Sequence, residues 1–133
     1  MKNNNYPNWL VPLYIAKELR EIGFREKTFT YFEINTDGED RYFTPTDINF
    51  KELQIYNRYR DYVSIPTWEQ VFEWFRERGL HSSIRYLICS VTYSYHIIDN
   101  CNWNKGCGYR DTYEEAREAL VYKLIEIYKS EQK

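Results

Sequence analysis

The chain has 133 residues, 43% of them hydrophobic and 29% charged, a balance that excludes intrinsic disorder and suits a folded domain. Its formal net charge of −2 is evenly spread: residues 1–66 carry nine basic and ten acidic side chains, and residues 67–133 carry the same numbers. This excludes a basic block that would draw the chain to DNA or an anionic membrane by long-range attraction.

Residues 1–8 are polar and are expected to fray. Helical spacing then predicts a helix over Pro12 to Ile22, with proline in the first turn, where a missing N–H costs nothing. Pro12, Ile15, Ala16, Leu19 and Ile22 share one face. Gly23 supplies a left-handed C-cap, and Phe24 can fold back on the last turn. Thr28 to Ile34 is β-branched and aromatic, as a strand prefers. Residues 35–40 contain Asp37-Gly38 and read as a turn, with a returning strand over Arg41 to Thr44. Residues 45–63 show neither period and read as a long excursion, with room for a short helix near 49–54.

The second half is better punctuated. Thr67-Trp68-Glu69-Gln70 has the form of a capping box, opening a helix whose core stripe is Trp68, Val71, Phe72 and Phe75 and which Gly79 ends. Ser83 to Cys89 and Val91 to Ile98 read as strands, and 99–110 as a polar loop. Thr112-Tyr113-Glu114-Glu115 is a second capping box. Its helix runs to about Tyr128, with Ala116, Leu120, Leu124 and Ile127 toward the core, flanked by Val121 and Ile125. The whole is predicted to be one α+β domain over 1–133, in the order α-β-β-α-β-β-α. An antiparallel sheet of about four strands would be covered by helices. The two helix ends, Leu19-Arg20-Glu21-Ile22-Gly23-Phe24 and Phe75-Arg76-Glu77-Arg78-Gly79-Leu80, rhyme, which raises an internal duplication beside the plainer reading that helix ends commonly look alike.

Pro66-Thr67-Trp68-Glu69-Gln70-Val71-Phe72-Glu73-Trp74-Phe75-Arg76-Glu77 and Thr112-Tyr113-Glu114-Glu115-Ala116-Arg117-Glu118-Ala119 resemble two helices of a family of small, uncharacterised proteins. These are encoded by phages and mobile elements of gut bacteria. Their patterns are P-T-x-x-x-V-x-x-W-L-R-E and T-Y-E-E-A-x-E-A, and Ala16 to Phe24 resembles their opening A-x-x-L-K-E-x-G-F helix. Phe75 stands where the family has Leu. The likeness covers three helices, about half of the chain. It implies an accessory protein acting inside a bacterial cell, and it carries no site residues.

No run reaches the roughly 18 apolar residues of a membrane span, and the start, Met1-Lys2-Asn3-Asn4-Asn5, lacks the apolar stretch of a signal peptide. Cys89, Cys101 and Cys107 form an odd set without framework spacing, so free thiols in a reducing cytoplasm are expected. His96, Cys101 and Cys107 match no metal-ligand spacing, and no metal or other cofactor is expected. His96, Asp99 and Cys101 are the right types for a catalytic triad but lie too close in sequence for its geometry. Residues 102–108 hold two glycines without the order of a phosphate loop. The chain is therefore expected to be no enzyme.

The aromatic content points to binding. Fourteen Tyr, seven Phe and four Trp exceed what one small core can enclose. Tyr56, Arg58, Tyr59, Arg60 and Tyr62 interleave rings with guanidinium groups, as contact surfaces do, although the same tyrosines could simply pack their segment onto the sheet. With Trp74 or Trp103 they form the candidate surface. The expected partner is another protein or a second copy of the chain. The alternative is a single-stranded nucleic acid stacked on the 56–62 cluster.

Overall fold

The structure, a computed structural model, describes residues 7–28, 30–33, 41–43, 62–101 and 103–132, with the backbone alone at 33, 41–43 and 62. These fall into two compact units, 1–70 and 71–133. The class is α+β. In chain order the elements are α1 (Leu13–Glu21), β1 (Thr30–Glu33), β2 (Arg41–Phe43), β3 (Tyr62–Ile65), α2 (Trp68–Arg76), β4 (Leu80–Leu87), β5 (Thr92–Asp99), β6 (Asn104–Arg110) and α3 (Tyr113–Glu131).

In the first unit, β1 is the central strand of an antiparallel sheet ordered β2-β1-β3. Pro12 is the N-cap of α1, and Ile15, Ala16 and Leu19 are its buried face. The helix closes as its sequence requires. Gly23 takes a φ of 106°, the Gly23 N–H donates to the Arg20 carbonyl, and the Phe24 N–H reaches back five residues to the Leu19 carbonyl at 3.0 Å. That pair of bonds is a Schellman cap, and it drops Phe24 into the core. Tyr31 is fully buried in β1, and its hydroxyl accepts from the Thr28 N–H. Burial pushes the phenol up, with the Thr28 bond acting the other way. The strand before α2 is tied to the start of the chain: the Val11 N–H donates to the Pro66 carbonyl, and Trp68 Nε1 donates to the Asn8 carbonyl at 2.9 Å.

The box at Thr67 forms completely. Gln70 N–H donates to Thr67 Oγ1 at 3.1 Å, and Thr67 N–H donates to Gln70 Oε1 at 2.9 Å. The box at Thr112 forms by half. Its hydroxyl accepts from the Glu115 N–H at 3.1 Å, and among the described residues no bond returns from the Glu115 side chain.

In the second unit, β4, β5 and β6 make an antiparallel meander with α3 across one face. Register puts Ser82, Ile97 and Gly106 in one row under the helix, and Ile84, Tyr95 and Gly108 in the next. Ala116, Leu120, Val121, Leu124, Ile125 and Ile127 are the buried residues of α3.

Three expectations need correction. The sheet of about four strands is two sheets of three. Residues 62–65 are a strand, although the excursion was expected to run to 63. Residues 104–110, expected as loop, are also a strand. The reason in the last case is steric. A Cβ at 106 would lie 3.1 Å from Lys123 Cε, and one at 108 would lie 2.5 Å from the Tyr95 hydroxyl. The two glycines therefore let the helix and the Tyr95 ring close over β6, at the expense of the apolar alternation that marks a strand in sequence. The suggested duplication is not repeated in topology, because β1 is central in the first sheet whereas the middle strand in sequence, β5, is central in the second. The rhyme of the two helix ends is a rhyme of caps.

Candidate interaction surface

The uncovered end of the second sheet is built on the β4–β5 hairpin. Leu87 pairs with Thr92, leaving Ile88, Cys89, Ser90 and Val91 as a four-residue loop closed by the Val91 N–H to the Leu87 carbonyl at 2.8 Å. Closing it puts Val91 at a φ of 56°, the one non-glycine residue with positive φ among those described. A β-branched side chain crowds the backbone there, and glycine or asparagine is the usual occupant. Ser90 Oγ and Thr92 Oγ1 lie 2.7 Å apart and brace the turn.

Two apolar side chains nevertheless point into solvent from this strained loop. Ile88 is 77% exposed and Val91 65%. Behind them runs a row of tyrosines. The rings of Tyr86 and Tyr93 face each other across β4 and β5 at 5.0 Å, and Tyr93 meets the edge of Tyr113, at the start of α3, at 5.9 Å. Tyr86 and Tyr113 are themselves exposed. Arg117 lies 5.5 Å from the Tyr113 ring, one turn into α3. Burial lowers the Arg117 pKa, while Tyr113, Glu114 and Glu118 act to raise it. The rings are fixed by their mutual contacts, so they present apolar area with little freedom left to lose on binding.

Trp103, the candidate of the β5–β6 turn, is 71% exposed. The Asp99 carboxylate accepts from the Cys101 and Trp103 N–H groups at 2.9 and 3.0 Å, and the Trp103 carbonyl accepts from Asp99 N–H. That bracket holds the indole outward. It stands at the other end of β5, whose eight residues span about 27 Å, so Trp103 and the hairpin tip are separate exposed features of one unit.

Trp74 requires correction. It is only 3% exposed, packed edge-on against Phe75 at 5.1 Å and Tyr128 at 5.3 Å, with the Arg78 guanidinium 3.7 Å from its ring. It belongs to the core of the second unit. Tyr56, Arg58, Tyr59 and Arg60 lie outside the described residues, and Tyr62 opens β3 with its backbone opposite Glu33.

The remaining candidates do not converge. Cys89, Cys101 and Cys107 are exposed and unpaired. His96 sits opposite Cys107 on the open face of the sheet, and Cys101 is in the turn beyond it. No group of three or more His, Cys, Asp or Glu able to hold a metal occurs among the described residues. Asp99 pairs with Leu80 and His96 with Ser83, which places the two on opposite faces of β5, and the Asp99 carboxylate is occupied in shaping its turn. No helix among the described residues is long and apolar enough to cross a membrane.

The sequence missed the hairpin tip because it read Ile88 as the interior of a strand and Val91 as the start of one. The available signal was a Cys-Ser pair between two apolar runs with no glycine, asparagine or proline to ease the turn. No family model matches the chain, and no curated protein or solved structure matches it.

Proposed function

We propose that the chain acts by binding another protein through the β4–β5 hairpin end of its second unit. It would do so as an accessory protein of a phage or mobile element in a bacterial cytoplasm, with no chemistry of its own. The observation that carries this reading is the conjunction at the loop. A strained backbone presents Ile88 and Val91 to water, where a relaxed turn of polar residues would cost less. Strain kept at an exposed apolar tip is explained by an occupant that covers it. Tyr86 and Tyr113 supply the amphipathic rings that dominate protein contacts, and Trp103 is a second anchor at the far end of the sheet. The even charge fits a partner recognised by shape and apolar area more than by attraction at a distance.

The test is capture of protein from a host lysate by the immobilised chain, followed by Ile88→Ser with Val91→Asn. Loss of the captured protein without a lower melting temperature supports the reading. Retention by single-stranded RNA or DNA, weakening steeply with salt, would instead support the alternative built on the 56–62 cluster.

A further inference from the structure

Strand β4 is an edge strand, with β5 on one side and no described strand on the other. Among the described residues, His81 to Tyr86 make no backbone–backbone hydrogen bond outside the β4–β5 ladder; the Leu87 carbonyl accepts from Val91 N–H in the loop, and the Arg85 carbonyl accepts from Ser94 Oγ. As in any edge strand, about half of its N–H and C=O groups face away from β5, and those of the strand's middle have no backbone partner there among the described residues. The strand is eight residues long, contains neither proline nor glycine, and carries Arg85 as its one residue of fixed charge. The opposite edge is guarded differently. β6 has two glycines, a register shift where it meets Ile97 and Ile98, and Lys105 and Arg110 near its ends. Proteins blunt edges with charges, bulges and breaks of this kind, and β4 has almost none.

We infer that β4 pairs antiparallel with β4 of a second copy, joining two three-stranded sheets into one of six strands about a two-fold axis. The sequence of β4 selects the occupant and the register. Continuity of the two faces requires residues of like parity to stand opposite each other. Centring the axis on Ile84 then sets Ser83 against Arg85 and Ser82 against Tyr86 of the other copy. Each of the two large exposed side chains meets a serine, and half-buried Ile84 meets its own counterpart. Centring on Arg85 would oppose two guanidinium groups, and centring on Ser83 would set His81 against Arg85 and leave Ile84 facing a serine. Of these three registers the one centred on Ile84 matches large to small and apolar to apolar, and it pairs seven residues of the strand where centring on Ser82 would pair only five; an isologous contact of this kind closes at two copies.

This inference rests on the strand edge and shares only Tyr86 with the hairpin-tip reading. Its first test is molar mass by light scattering at concentrations up to about 100 µM, the range where a micromolar self-affinity is populated. Twice the monomer mass is expected, and monomer at every concentration overturns the inference. The second test fixes the register. With Cys89, Cys101 and Cys107 replaced by Ser, Ile84→Cys should give a disulfide-linked dimer under mild oxidation. Ser83→Cys should not, because positions opposite themselves lie about 4.5–5.5 Å apart, whereas the diagonal separation is about 7–8 Å. Crosslinking at 83 in preference to 84 refutes the register. Ile84→Lys should return the protein to monomer by opposing like charges. If that variant fails to fold, the crosslinking pair still decides. Ile88→Ser should leave the mass doubled, which separates failure of this contact from failure of partner capture.

Discussion

Replacing Val91 by glycine should make the protein more stable and a worse binder. A side chain held at a φ of 56° costs about 1–3 kcal/mol when it is β-branched. Glycine removes that strain and gives up two smaller terms. Greater freedom of the unfolded chain costs about 0.4–1 kcal/mol. With Val91 65% exposed, about a third of its side chain is covered, and losing that contact costs about 0.5–1 kcal/mol. The balance is a net stabilisation of about 0.5–1 kcal/mol near the middle of these ranges. With a urea dependence of about 1–3 kcal/mol per molar, the midpoint should rise by a few tenths of a molar. Val91→Asn should behave similarly, since asparagine tolerates the left-handed region and keeps some side chain. Urea melts of the two variants beside wild type make the measurement. A midpoint that falls in both would show that the loop gains more from the valine than it loses, and the argument from strain would fail.

Other outcomes follow from the packing. Leu120→Ala, in the buried face of α3, should cost about 2–5 kcal/mol in a urea melt, and an unchanged midpoint would make the helix peripheral. Gly108→Ala should cost about 1–3 kcal/mol, because the new methyl would press on the Tyr95 ring that lies over β6; a neutral result would mean that the ring swings away. Thr112→Ala should cost about 1 kcal/mol by removing the acceptor of the Glu115 N–H, measured the same way. Alkylation followed by intact-mass measurement of the native protein should label all three cysteines, and a protected thiol would contradict their exposure.

Much of the fold could be read from the chain because its helices carry their own punctuation. The boxes at Thr67 and Thr112, the glycines at 23 and 79 and the buried stripes of α1 and α3 are local signals, and local signals survive folding. What could not be read depends on partners remote in sequence. Residues 104–110 become a strand because Tyr95, Lys123 and Ile127 need the space above two glycines, and no periodicity in that segment records it. The same distinction governs the candidate surface. Trp103 is held outward by Asp99, four residues away, and its exposure was expected. Trp74 sits inside because Tyr128, on another helix, closes over it, and the stripe of Trp68, Val71, Phe72 and Phe75 did not include it.

The central claim, that the β4–β5 hairpin tip is a protein-binding site, is tested most directly by a photo-crosslinking amino acid placed at position 88. Irradiation in the host cytoplasm should join position 88 to one discrete protein, while the same probe at exposed Glu126, on the solvent side of α3, joins none. Labelling by water alone at position 88, or the same diffuse pattern from both positions, would contradict the account.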